Sequence, residues 1–175
     1  HNFFNNGYHS NMKWINYYIY YSILGFLFET CCNVFIRSNY SSGILFGPFT
    51  PIYFFGFLII MFLDKLLKKQ ENKKFRDIVF FFLSFIMLTL VEYIGGHLSH
   101  FIIGHNKWSY ESWPLSIGKY INPLVSLGWA IGALVYDKFL LKRINKSIDK
   151  MPHRLTFILG LLYIIDSYLS IKNGF

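Results

Sequence analysis

Five long apolar blocks constrain this sequence more than any other feature. They cover, in order, residues 14–36, 51–67, 77–103, 123–141 and 155–171. Each block is close to the roughly 17–25 residues that an α-helix needs to cross the hydrocarbon core of a bilayer. Charged residues make up only 15% of the chain, and they lie mostly between the blocks, which leaves no polar face for water. The sequence therefore predicts an all-α, polytopic membrane helix bundle with about five transmembrane helices.

Clustered basic residues orient the predicted bundle. The net charge is +8, and twelve of the seventeen lysines and arginines lie in two stretches, residues 65–76 and 138–154. Short basic loops stay on the cytoplasmic side of a membrane. This rule predicts an N-terminus inside and a C-terminus outside. The same distribution favours contact with anionic membrane lipids and argues against nucleic acid as a partner.

A polar stretch, residues 1–11, precedes the first apolar block. It reads HNFFNNGYHSN and is followed directly by Met12. It lacks the charged segment and apolar core of a cleavable signal peptide. We interpret it as an N-terminal extension upstream of the natural start, and residues 12–175 as a single transmembrane helical domain.

A few ionisable residues lie inside the apolar blocks. They are Glu29, Glu92 and Asp166, together with His97 and His100. The predicted topology puts all five in the outer half of the membrane and leaves almost nothing ionisable in the inner half. A glutamate in hydrocarbon is costly unless it is paired, protonated or hydrated, so it usually faces the bundle interior. A single buried acid can simply lock two helices together, whereas a cluster at one depth favours a functional site.

Two helix starts are predicted on the same outer side. Thr50 precedes Pro51, and Asn122 precedes Pro123. A residue with a short polar side chain followed by proline is typical of a helix N-cap and first helical position. Free N–H groups at such an N-terminus favour an anion, although water can also cap them. Together with the buried acids, these starts predict an outward-facing polar cavity for an anionic or lipid-headgroup ligand.

Motifs of known enzymes are absent from the sequence. It has no Gly-rich phosphate loop, no metalloprotease His-Glu pair and no Gly-x-Ser-x-Gly elbow. No cofactor and no metal are predicted. If the protein is an enzyme, Glu92 with His100, or Glu29 with His97, could act as general acid and base. The substrate would then be a lipid or lipid-linked molecule in the outer leaflet.

Four segments occur in an order that resembles a known family. They are SILGFLFETCCNVF, SGILFGPFTPIYFFGF, TLVEYIGGHLSHFIIGHNKWSY and GKYINPLVSLGWAIG. Together they resemble the CmpB-like family of bacterial integral membrane proteins, which is generally labelled an ABC-transporter permease. The resemblance covers about residues 14–140 and implies a multi-pass protein of the bacterial plasma membrane. The residues it singles out are Glu29, Gly47, Pro48, Pro51, Tyr53, Glu92, Trp108 and Tyr110.

Three functional hypotheses remain open at this point. The resemblance implies a permease-like transport component, which would need an ATPase or another membrane subunit, or a second copy of itself. The alternatives are an outer-leaflet enzyme and a small membrane adaptor whose buried acids are purely structural. For a ligand site the predicted residues are Glu29, Gly47, Pro48, Thr50, Tyr53, Glu92, His100, Trp108, Tyr110 and Asn122.

Overall fold

A computed structural model describes residues 2–37, 45–104 and 106–173, and these residues form six α-helices. The helices are α1 (Asn2–Arg37), α2 (Ile52–Leu67), α3 (Lys73–Ile103), α4 (Pro123–Phe139), α5 (Leu141–Ile148) and α6 (His153–Asn173). Within the described residues, extended pairing is limited to an isolated bridge between Ile117 and Ile121. The predicted all-α class is therefore confirmed. From Asn2 onward, the predicted N-terminal extension continues into α1.

Helix length and composition identify the candidate membrane spans. In the described part of the chain, α3 and α6 are long and apolar enough to cross a bilayer. A third candidate is the pair α4 and α5, whose axes meet at a bend of 69°. Helices suit this environment because their backbone hydrogen bonds are satisfied within the segment. The membrane character is thus supported, while the number of five spans and the orientation of the termini stay predictions.

Capping residues set the two ends of α3. The Asn72 side chain accepts a hydrogen bond from the Phe75 N–H at 3.1 Å. At the other end, Gly104 has φ +83°, and its N–H donates to the His100 carbonyl at 2.8 Å. Glycine adopts this left-handed conformation without steric cost, which explains why the helix stops there.

The two predicted helix starts turn out differently. Asn122 caps α4 as predicted, because its Oδ1 accepts from the N–H groups of Leu124 (3.0 Å) and Val125 (3.3 Å), with Pro123 at the first helical position. The predicted Thr50 cap is wrong. The Thr50 hydroxyl is buried and has no hydrogen-bond partner among the described residues. The loop before α2 is held by other contacts.

The chain divides into two compact units. The first unit is His1–Phe54 with Ile144–Phe175, and the second unit is Phe55–Arg143. In the first unit α1 packs against α6, and in the second α3 packs against α4. Many other apolar side chains point outward; Phe101, for example, is 84% exposed. Such outward apolar faces fit a hydrocarbon surrounding.

Candidate functional site

The predicted site residues fall into both compact units. In the first unit lie Glu29, Gly47, Pro48, Thr50 and Tyr53, and in the second lie Glu92, His97, His100, Trp108, Tyr110 and Asn122.

In the first unit, a carboxylate of α6 holds the loop that precedes α2. The Gly47 N–H donates to Asp166 Oδ1 at 2.8 Å. The Phe46 N–H donates to Ser170 Oγ at 3.0 Å, and Ser170 Oγ lies 3.5 Å from the same Asp166 oxygen. A Cβ added at Gly47 would lie 2.8 Å from Asp166 Oδ2, so this close approach requires glycine. Asp166 therefore anchors residues 46–47.

Residues 50–53 fasten the same loop to α1. The Thr50 N–H donates to the Ser22 carbonyl at 3.0 Å. The Tyr53 ring packs against Gly25, where an added Cβ would lie 2.2 Å from the ring. Glu29 lies one turn further along α1 and is partly buried, whereas Pro48 is exposed. The family-like Gly-Pro segment is thus held at its start by α6 and at its end by α1.

In the second unit, Glu92 binds the residue that organises the loop after α3. The Tyr110 hydroxyl donates to Glu92 Oε1 at 2.7 Å, and Tyr110 is only 7% exposed. The Tyr110 N–H donates to the Lys119 carbonyl at 2.7 Å, and the Ser116 hydroxyl donates to the Tyr110 carbonyl. Glu92 therefore anchors this loop through Tyr110, much as Asp166 anchors the loop in the first unit.

Asn122 completes the attachment of this second loop. It is fully buried, and its Nδ2 donates to the Pro114 carbonyl at 2.9 Å and to Ser116 Oγ at 3.0 Å. Its Oδ1 caps α4 through Leu124 and Val125. These two N–H groups, predicted as candidates for an anion, are thus bonded within the protein.

Aromatic rings and a histidine form a cluster beside this loop. The His97 ring centroid lies 4.4 Å from that of Tyr93 and 4.8 Å from that of Tyr120. The Trp108 ring lies 6.2 Å from the Tyr120 ring. The side chains of His97 and His100 are exposed.

The geometry gives little support to the predicted pairing of a glutamate with a histidine as general acid and base. Glu92 and His100 are eight residues apart on α3, which is about 12 Å along the helix axis. Glu29 lies in the first unit and His97 in the second, and their pairing stays a prediction. Within residues 2–37, 45–104 and 106–173, no group of three or more His, Cys, Asp or Glu side chains is arranged to hold a metal ion. The best-supported role of Glu92 is as a hydrogen-bond acceptor for Tyr110.

Five charged side chains of the second unit form a cluster that sequence reasoning missed. Arg76 Nη2 donates to Asp64 Oδ1 and to Asp137 Oδ2, both at 2.8 Å. Arg76 Nη1 lies 3.4 Å from Asp77 Oδ1, and Lys138 Nζ lies 2.5 Å from Asp77 Oδ2. These residues are called the charged cluster below. Its Asp137 side chain is 2% exposed.

The charged cluster occupies helix ends rather than helix centres. It lies at the N-terminal end of α3 and the C-terminal end of α4, away from Glu92. The sequence did contain a signal for the charged cluster. An acid closes each of two apolar helices, Asp64 in α2 and Asp137 in α4, and Arg76-Asp77 opens a third. The charge pattern assigns only Arg76 and Lys138 to the basic stretches, and the three acids lie near the ends of the apolar blocks without a predicted role.

The bond between Tyr110 and Glu92 gives a testable prediction. We expect Tyr110→Phe to lower the free energy of unfolding by about 1 kcal/mol, because it removes a buried donor from a carboxylate. Chemical unfolding in detergent micelles, followed by circular dichroism, measures this change. Tyr168→Phe is the control, since Tyr168 is 63% exposed. Equal effects of the two substitutions would show that the bond contributes nothing.

Comparison with known proteins gives one match. The model of a family described as "Putative ABC-transporter type IV" (CmpB) matches residues 16–171. The matched segment contains both anchoring carboxylates, Glu92 and Asp166, and the whole charged cluster. No curated protein and no solved structure matches the chain.

Proposed function

Because this chain belongs to the CmpB family of ABC-transporter-related membrane proteins, we propose that it is the permease-like, membrane-embedded component of a transport assembly. Two of its helices, α3 and α6, are apolar and long enough to cross a bilayer. The proposal includes a multi-pass arrangement in a bacterial plasma membrane. It leaves open whether a second copy or a different membrane subunit supplies further helices.

The observation that supports this proposal most directly is the amphipathic character of α5. Leu141 is 3% exposed and Ile148 is fully buried. Lys142, Arg143 and Lys146 on the same short helix are exposed. Leu141 and Ile148 are buried and the basic side chains are exposed, so α5 presents a positively charged surface. In our proposal this surface binds an ATPase.

The partner proposed for α5 is an ATPase subunit with an acidic docking surface. The 175 residues contain no Gly-rich phosphate loop, so the proposal assigns ATP binding to a partner. Opposite charges across an interface steer association and select the partner. The contact would couple ATP hydrolysis to the helices that continue from either end of α5.

For the transported molecule we propose an anion or a lipid with an anionic headgroup. His97 and His100 are exposed, and an imidazole N–H can donate a hydrogen bond to an anion. Glu92, Tyr110 and Asn122 serve in this proposal as the support of the loop rather than as direct ligands. One of the two acid–base pairs of the enzyme hypothesis joins Glu92 to His100, and their separation along α3 argues against that pairing.

Charge reversal on α5 tests the proposed docking. We expect the triple variant Lys142→Glu, Arg143→Glu, Lys146→Glu to reduce crosslinking to the ATPase by about tenfold or more, because three attractive charges become repulsive. The measurement uses a photoreactive residue at the exposed position 147 in native membranes. Mass spectrometry then identifies the crosslinked protein, which must carry a phosphate-binding loop.

A matched control separates docking from general charge effects. Lys68→Glu, Lys69→Glu, Lys74→Glu changes three other exposed lysines by the same amount. We expect this control to crosslink like the native protein. Undiminished crosslinking in the α5 variant, or an equal loss in the control, would contradict docking through α5. Crosslinks to lipid alone would contradict the ATPase partner.

A further inference from the structure

The charged cluster contains more acids than bases. Three carboxylates, those of Asp64, Asp77 and Asp137, meet two cations, Arg76 and Lys138, in the ion pairs described above. With every group ionised, the cluster has one negative charge in excess. An uncompensated charge is costly wherever it is shielded from water. The cluster should therefore bind one further positive charge.

Exposure distinguishes the three carboxylates. The side chains of Asp64 and Asp77 are 33% and 24% exposed, so water reaches both. The Asp137 side chain is 2% exposed. Its Oδ2 accepts from Arg76, while its Oδ1 is buried and has no hydrogen-bond partner in the described part of the chain. The excess negative charge is therefore least well solvated at Asp137 Oδ1.

The geometry around this oxygen decides which cation fits. Arg76 Nη2 lies 2.8 Å from both Asp64 and Asp137, so the guanidinium group already fills the position between these two carboxylates. Asp77 is paired with Lys138. One buried oxygen remains, and metal cations such as calcium or magnesium need about six oxygen ligands or more. A proton needs a single lone pair.

We propose that Asp137 Oδ1 binds an exchangeable proton, so that the charged cluster is a proton-binding site of the folded protein. Uptake converts the Asp137 carboxylate and one proton from water into a carboxylic acid, and no other bond changes. The groups that face it are Asp64 from α2, Arg76 and Asp77 from α3, and Lys138 beside it on α4. In the protonated state the cluster is neutral. This inference does not depend on the docking of α5.

Infrared difference spectroscopy can test the proposal directly. The full protein is reconstituted in phosphatidylcholine vesicles and titrated with acid and base. We expect a carbonyl band of a protonated carboxyl group at neutral pH, which disappears reversibly as the pH rises. The band should be absent at every pH in Asp137→Asn, whereas in Asp77→Asn, which also removes one negative charge from the cluster, it should persist and disappear at a lower pH than in the native protein. A band that survives in Asp137→Asn, or no band in the native protein, would overturn the assignment.

A second variant keeps the test informative if Asp137→Asn does not fold. Asp64→Asn leaves Asp137 in place but removes one negative charge beside the shared guanidinium group. The ionised form of Asp137 is then better compensated, so we expect its band to disappear at lower pH than in the native protein. An unchanged titration would overturn the role of the cluster.

Replacing sodium by choline at constant ionic strength separates a proton from an alkali ion. We expect the titration to stay the same, because the site as proposed takes only a proton. A band that appears only without sodium would show that the site binds an alkali cation instead, and would overturn the proton assignment.

Discussion

At a pH that ionises the whole charged cluster, replacing Arg76 by leucine is expected to lower the free energy of unfolding by about 3–5 kcal/mol, the range for removing one partner of a buried ion pair. Arg76 donates to Asp64 and Asp137 and lies beside Asp77. Without it, the Asp137 side chain, 2% exposed, loses its described cation. The attraction that compensated for removing these groups from water disappears, while the carboxylates stay in place.

Unfolding of the reconstituted protein by denaturant measures this loss. Lys74→Leu is the matched control, because it removes a positive charge from the same end of α3 at an exposed position. The control should change stability by less than about 0.5 kcal/mol. The loss in Arg76→Leu should shrink as the pH falls, since protonation removes the uncompensated charges. A loss similar to that of the control would contradict the importance of the charged cluster.

Gly96→Ala is expected to lower the free energy of unfolding by about 2–3 kcal/mol, the upper part of the range for overpacking. The added Cβ would lie 2.4 Å from Cδ1 and 2.5 Å from Cγ of Tyr120. These atoms are near the base of the ring, and Tyr120 is 4% exposed. Its hydroxyl also donates to Asn106 Oδ1, so the ring cannot move aside without losing a hydrogen bond.

Two other helical glycines provide matched controls for Gly96. Around Gly128 and Gly132 in α4, no described atom lies within 4 Å of an added Cβ. Alanine has the higher helix propensity, so these substitutions should be neutral or stabilise by up to about 1 kcal/mol. The same unfolding measurement applies to all three variants. If Gly96→Ala were as mild as the controls, the close contact between Gly96 and Tyr120 would be contradicted.

Local chemistry explains which parts of the fold were predictable from sequence. The all-α class follows from the length of the apolar blocks, and the start of α4 follows from an Asn-Pro pair. The equivalent pair, Thr50 and Pro51, does not cap α2 through the Thr50 side chain. The Thr50 N–H bonds to the Ser22 carbonyl, so a contact with a distant helix sets the loop conformation there. Capping patterns are reliable only where no tertiary contact competes with them.

The candidate site also depends on tertiary contacts that no local sequence pattern predicts. Glu92 stands out in the sequence because a charge in an apolar block is conspicuous, and Tyr110 was named independently. Their direct hydrogen bond, which makes Glu92 a support rather than an exposed ligand, links positions 18 residues apart and has no pattern in the sequence. The charged cluster was missed because its acids and bases lie on three helices. Only packing brings them together.

The bond between Gly47 and Asp166 has a consequence for how the protein is made. The two residues are 119 positions apart, so at roughly 5–20 residues per second the ribosome adds Asp166 roughly 6–24 s after Gly47. The second unit, Phe55–Arg143, is continuous in sequence and can assemble during that interval. The first unit joins both ends of the chain and must wait for α6. During biogenesis, the end of the loop can attach to α1 early, whereas its start at residues 46–47 is fastened last.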